Sequence, residues 1–196
     1  MATFTKSSVR RVLAAYPAND VDEPGTVPAA VALILHDAGN DTGLEALFIK
    51  RAVRSGDPWS GQIALPGGRR DPEDADLLAT AMRETREETG VVLESAEQLG
   101  RLDDLHPRTP VLPPVVVRPF VFALSERPAL RPSDEVDRAF WVSFAHLLDP
   151  AVRREVKLIV RGVERVFPAY DLGDDVIWGL TERIVTPFLE RLQRER

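Results

Sequence analysis

Apolar and polar positions divide this chain into stretches of two periods. Residues 29–36 (AAVALILH) are almost continuously apolar, the pattern of a strand covered on both faces. A polar turn cluster at 37–43 separates them from Leu44–Arg51 (LEALFIKR), a second strand with Leu47 and Ile49 as core candidates, so the pair reads as a hairpin. Residues 62–65 form a short strand running into Pro66-Gly67-Gly68. Residues 98–105 and Val115–Leu124 (VVVRPFVFAL) are further strands, and Pro119 inside the latter points to a sheet edge or a bulge. Residues 156–160 and 165–169 flank Arg161-Gly162, a second hairpin signal. The connecting stretches at 19–28, 52–60 and 106–114 are polar or proline-rich, and 133–144 is acidic and then aromatic.

Helical spacing governs the rest. Residues 8–16 predict a short surface helix with Val9, Val12 and Leu13 inward. Residues 144–148 read as a helical turn closed by Asp149-Pro150. Residues 178–194 are amphipathic through Leu180, Ile184, Val185, Phe188, Leu189 and Leu192, with Pro187 expected to kink or split the helix. The central helix is different in kind. Leu78, Met82, Thr85 and Thr89 recur on one side, flanked by Ala75 and Ala81. Asp71 before Pro72 suits a helix entry, with Asp74 or Asp76 as later starts, and Gly90 suits a left-handed stop. Glu84, Glu87 and Glu88 share another face, where like charges repel by a few tenths of a kcal/mol per pair. Such a face is either solvated or covered by a cation, and Mg²⁺ prefers carboxylate oxygens, water and phosphate.

Composition narrows the classes. The 196 residues suit one domain, and 44% hydrophobic with 29% charged residues is ordinary for a soluble protein. A formal net charge of −6 argues against a general nucleic-acid binder. The absence of cysteine excludes disulfides, thiolate nucleophiles and cysteine-ligated zinc. No apolar run spans a bilayer, and the N-terminus lacks a secretory core, so a cytoplasmic protein is the expectation. Residues 1–16 are basic and acid-free, a composition that a transit-like segment would share. His36, His106 and His146 are isolated, GQIALPGG lacks the spacing and the Lys-Ser/Thr of a Walker loop, and no G-x-S-x-G elbow occurs.

The glycine bend, Arg83-Glu84, Glu87-Glu88, Gly90 and Val91 together resemble the Nudix box, G-x5-E-x7-R-E-U-x-E-E-x-G-U, where U is bulky and apolar. The first half departs from it. Counting back from Arg83, the glycine slot falls on Arg69 and the acidic slot on Ala75. Gly68 lies one residue early, Asp74 and Asp76 straddle the acidic slot, and Thr85 stands at the first U. Residues 47–68 are similar to the segment that precedes the box in coenzyme A pyrophosphatases of this family, L-L-T-x-R-[S/A]-x3-R-x3-G-x3-F-P-G-G. Arg51-Ala52, Gly61 and Leu65-Pro66-Gly67-Gly68 align, Arg54 lies early, and Gly56 is near its slot. Residues 175–181 (DVIWGLT) resemble the tail of the same enzymes.

The resemblance implies an α/β (α+β) fold, the αβα Nudix sandwich with a mixed central sheet, over about residues 26–194, with 1–25 as an N-terminal helix and connector. It implies Mg²⁺ or Mn²⁺ held by Glu84, Glu87, Glu88 and the Gly68 carbonyl, with Arg83 orienting a box glutamate. Glu87 is the first candidate for the general base and Glu135, beside Asp134, the second. Arg51, Arg54, Arg69 and Arg70 are candidates for substrate phosphates and Trp59 for stacking on a base, although each alone also reads as a surface or packing residue. The expected activity is hydrolysis of coenzyme A or a derivative to 3′,5′-ADP and 4′-phosphopantetheine. The alternatives are ADP-ribose, a nucleotide sugar or another nucleoside diphosphate derivative, and a Nudix-fold module that binds nucleotide without turnover. The partner expected is a small diphosphate, with no nucleic acid and no membrane, and a homodimer is left open.

Overall fold

The computed structural model describes residues 4–39, 43–108, 113–160 and 162–195. Residues 40–42 of the turn cluster, 109–112 of the stretch 106–114, and Arg161 of the second hairpin signal lie outside the described residues. Among the described residues the order is α1 (Lys6–Ala15), β1 (Val27–Asp37), β2 (Leu44–Arg51), β3 (Ile63–Ala64), β4 (Gly67–Arg69), α2 (Leu77–Thr89), β5 (Glu97–Arg101), β6 (Val115–Leu124), β7 (Val136–Ser143), α3 (Phe144–Leu147), β8 (Arg153–Val160), β9 (Val163–Asp171), β10 (Val176–Trp178) and α4 (Gly179–Arg194).

A mixed sheet runs β3-β2-β1-β6-β5, with β4 added on β1 and β7 on β2. β1 and β6 are parallel over their whole length, and both are buried on two faces, as their unbroken apolar runs require. Alternation along β1 sends Ala30, Ala32 and Ile34 to one side, against Ala81 and the half-buried Leu77, Leu78 and Met82 of α2. It sends Leu33 and Leu35 to the other side, with Val9 and Val12 of α1 and Phe188 and Leu189 of α4. The result is the expected αβα sandwich. A second sheet, β10-β9-β8, feeds into α4. No helix among the described residues is long and apolar enough to cross a membrane.

Several expectations need correction. Pro119 is not at an edge: β6 lies between β1 and β5. The Pro119 carbonyl accepts from the Leu102 N–H at 2.9 Å, so its missing N–H would also face the β5 side. There the register shifts between Gln98 and Gly100, and regular pairing stops at Arg101↔Phe120. β5 therefore ends at Arg101, short of the predicted 105, and only an isolated Leu105↔Val117 bridge continues it. Helix α4 runs through Pro187 unbroken, and Trp178 precedes it as the last residue of β10. Ala75 is exposed, because α2 begins after it. Gly67-Gly68 belong to a short strand rather than a loop.

Candidate active site

The site is built where β4 meets α2. Asp76, not Asp71, caps the helix, accepting from the Ala79 N–H at 2.8 Å. Asp71 instead closes a turn, accepting from the Glu73 N–H at 2.9 Å. Gly90 ends α2 at φ 74°. On β4, Gly67 pairs with Val31 and Gly68 with Ala30. A Cβ on Gly67 would lie 2.2 Å from the Ala30 carbonyl oxygen, at a φ of +150° that side chains resist. A Cβ on Gly68 would lie 2.5 Å from the Glu84 carboxyl carbon. Gly67 thus lets β4 lie close against β1, and Gly68 lets its backbone come directly against Glu84 on the acidic face of α2.

Glu88 is buried, with its side chain 4% exposed. Its Oε2 accepts from the Gly67 N–H at 2.8 Å, and Arg51 Nη1 stands 3.6 Å from its Oε1. Burial pushes its pKa up to about 8, against the pull of Gly67 and Arg51 and with like-charge help from Glu84 and Glu135. Burial also raises Glu84, which Arg83 opposes and Glu87 and Glu135 reinforce. Arg51 is itself fixed by Asp57, whose Oδ2 accepts from Nη2 at 2.9 Å. Burial opposes the charge on Asp57, but the Trp59 N–H and Arg51 outweigh it and lower its pKa.

Arg83 ties the first half of the segment to the second. Its Nε and Nη2 each donate to Asp74 at 2.9 Å, and its Nη1 donates to Glu84 at 2.9 Å and Glu87 at 3.1 Å. Asp74 is buried and also accepts from the Thr80 hydroxyl and the Asp71 N–H. The Arg83 guanidinium holds the Asp74 carboxyl far below the usual carboxylate range. Asp74 and Asp76 therefore divide two tasks, one anchoring Arg83 and the other capping α2. The sequence carried a signal for this in the two acids straddling the vacant slot, but not which did what. Asp57 gave no such signal, since its link to Arg51 depends on how the 52–60 loop folds back.

Glu84, Glu88, Gly68, Arg69, Arg51, Trp59 and Glu135 line one cleft of about 480 Å³. Glu87 does not line it. Its side chain is 55% exposed and turned to Arg83 four residues earlier. Arg54 donates to Glu135 at 2.8 Å and to the Asp134 carbonyl at 3.1 Å, bridging two loops beside the cleft. Arg70 points away, its Nη2 donating to the Asp74 and Ala75 carbonyls at 3.0 Å each. None of the three histidines lines the cleft.

Among the described residues no three carboxylate or imidazole groups stand together as a ready-made ion site. The donor chemistry nevertheless fits a hard divalent cation: the carboxylates of Glu84 and Glu88 both line a cleft whose wall at Gly68 only glycine permits. Burial raises both pKa values, neighbouring carboxylates add to it, and a cation bound there would favour the charged forms. Gly68→Ala would push the Glu84 carboxylate aside while sparing the fold, since the clash is with the end of a flexible side chain. We expect kcat to fall about tenfold with an unchanged melting temperature. A variant as active as the parent would contradict this placement of Glu84.

The family model describing the NUDIX domain matches residues 26–161. The chain belongs to the Nudix family. It is similar to the human mitochondrial coenzyme A diphosphatase NUDT8, 34% identical over 149 residues, covering 74% of this chain and 61% of that protein. It is also similar to the uncharacterized protein C14C4.10c of Schizosaccharomyces pombe, 36% identical over 130 residues, covering 63% of this chain and 40% of that protein. The chain thus spans less than two thirds of the length of either relative. A MutT/nudix family protein from Enterococcus faecalis shares the fold, with a TM-score of 0.56 and 23% identity over 89% of this chain and 63% of that one.

Proposed function

We propose that this chain is a divalent-cation-dependent pyrophosphatase that hydrolyses coenzyme A or a derivative to 3′,5′-ADP and 4′-phosphopantetheine. The observation that carries the reading is the pairing of Glu84 and Glu88, both with raised pKa values, in one glycine-walled cleft with Arg51. The pre-box segment and the relative named as a coenzyme A diphosphatase support the choice of substrate.

Glu84, Glu88 and the Gly68 carbonyl would hold Mg²⁺ or Mn²⁺, with Glu87 beside them on the helix. The ion would neutralise diphosphate charge and make bound water more acidic. The chain's own residues do the rest. Arg51, braced by Asp57, presents its guanidinium to the diphosphate, and Arg69 stands at the same wall. Glu135 takes the proton of the attacking water as its oxygen bonds to phosphorus and the anhydride P–O bond breaks. Glu135 is preferred to Glu87 for this role because it lines the cleft. Arg54 steadies it, and Trp59 offers an aromatic wall. Arg83, anchored by Asp74, sets the position of Glu84. We expect Glu135→Gln to lower kcat about 100-fold with little change in KM. A Glu87→Gln variant with the larger loss would move the base back to Glu87.

One observation favours a second reading, a nucleotide-binding module without turnover: Arg83 engages both Glu84 and Glu87. A panel of diphosphates with Mg²⁺ or Mn²⁺, followed by product identification, separates the two. Release of 3′,5′-ADP and 4′-phosphopantetheine from coenzyme A is expected. Cleavage of ADP-ribose or a nucleotide sugar alone would overturn the substrate, and tight binding without any cleavage would favour the module.

A further inference from the structure

A second cavity, of about 660 Å³, adjoins the carboxylate cleft and shares Pro58, Trp59, Gln62 and Leu180 with it. Its chemistry is different. Phe167 of β9 and Trp178 of β10 stand in its wall as a tilted pair, ring centroids 4.9 Å apart. Arg165 and Arg183 line it as well, both exposed. Most arginines elsewhere on this acidic protein are matched to carboxylates: Arg54 to Glu135, Arg118 to Asp104, Arg154 to Asp171. The guanidinium groups of Arg165 and Arg183 have no hydrogen-bond or ion-pair partner among the described residues. The amino end of α4 opens at the same place, where Trp178 provides no side-chain cap. Trp59, in the wall shared by both cavities, has a buried indole Nε1 without a partner among the described residues.

Resting on the coenzyme A reading above, we infer that this cavity is a subsite for the 3′-phosphoadenosine end of the substrate. Arg165 and Arg183 take the 3′-phosphomonoester, and Trp178 and Phe167 take the base. Stacking on aromatic rings accepts a planar base, and guanidinium groups match phosphate geometry. Two uncommitted guanidinium groups bring no neutralising partner that a phosphate must displace. An aromatic wall alone would suit many apolar ligands; the two arginines make it selective for one bearing a terminal phosphate. The cavity's continuity with the cleft through Trp59 and Leu180 lets one ligand occupy both. The sub-site thus distinguishes coenzyme A from a diphosphate that ends in an unphosphorylated nucleoside.

The test is equilibrium binding by the full chain, by calorimetry without divalent cation, of 3′,5′-ADP and 5′-AMP, which differ only in the 3′-phosphate. The chain is expected to bind 3′,5′-ADP at least about tenfold more tightly. A double variant, Arg165→Gln with Arg183→Gln, should bind the two alike, while Arg165→Lys with Arg183→Lys should keep a preference. Equal binding by the parent chain, or a preference that survives the Gln pair, overturns the subsite. Because the readout needs no turnover, it is separable from the proposed function. A chain that cleaves coenzyme A yet shows no preference loses only the subsite. One that shows the preference yet cleaves no diphosphate loses only the activity.

Discussion

Replacing Glu88 with Gln is expected to abolish turnover and to stabilise the fold at the same time. Its carboxylate is one of two acidic groups at the wall of Gly67 and Gly68, so the loss of its charge should cost about 1000-fold in kcat. The gain in stability has a worked sign. The carboxyl titrates near 4.5 when free and near 8 in the fold, so folding favours its protonated form. Its contribution is intact below about pH 4.5 and declines as the pH rises toward 8. Each pK unit corresponds to about 1.4 kcal/mol, so the decline amounts to a few kcal/mol. Gln keeps an oxygen for the Gly67 N–H and carries no charge. In EDTA, the variant should therefore melt several degrees above the parent at pH 8, and the difference should vanish near pH 4.5. Mn²⁺ should raise the parent's melting temperature and not the variant's. Equal melting at every pH, or near-normal turnover, would contradict the role given to Glu88.

The second large effect is expected at Asp74. Asp74→Ala strips Arg83 of two hydrogen bonds and Thr80 of the nearer of its two acceptors, leaving a largely enclosed guanidinium without its main partner. Removing one member of such a pair costs roughly 3 kcal/mol. Asp76→Ala removes only a helix cap and should cost about 1 kcal/mol. Urea unfolding of the two variants ranks them directly, and an Asp76 variant at least as unstable as the Asp74 variant would reverse the division of tasks. The sign with pH is opposite to that of Glu88. Arg83 depresses the Asp74 pKa, so this stability is present above the ordinary carboxylate value of 3.8 and is lost as pH falls through the lower folded value. The gap between parent and Asp74→Ala should hold steady at neutral pH and narrow in acid. Asp74→Ala should also lower kcat, since Arg83 then positions Glu84 without its anchor.

Much of this fold could be read from local pattern. The unbroken apolar run of β1 and the period of α2 each constrain a few consecutive residues, and both were legible. Pro119 left a sheet edge and a bulge open, and local sequence could not choose between them, because the irregularity that admits a proline in this interior strand is in β5, about 20 residues away in sequence. Glu84 and Glu88 were legible as a pair because a helix fixes their spacing. Their unequal company with Glu87 was not: which carboxylate faces β4 and which faces Arg83 depends on how α2 is rotated against the sheet. Asp57 and Asp74 act through Arg51 and Arg83, across loops whose paths no local rule sets. The aromatic and arginine cavity joins β9, β10, α4 and the 58–62 loop, so its residues are scattered along the sequence.

The central claim is that Glu84 and Glu88, facing the glycine wall, hold the ion that this chemistry needs. Anomalous diffraction from crystals grown with Mn²⁺ tests it most directly. The account predicts a peak between the two carboxylates and the Gly68 carbonyl, with Glu84 released from Arg83. No peak there, with Glu84 still on Arg83 and Glu88 still facing Arg51, would contradict it.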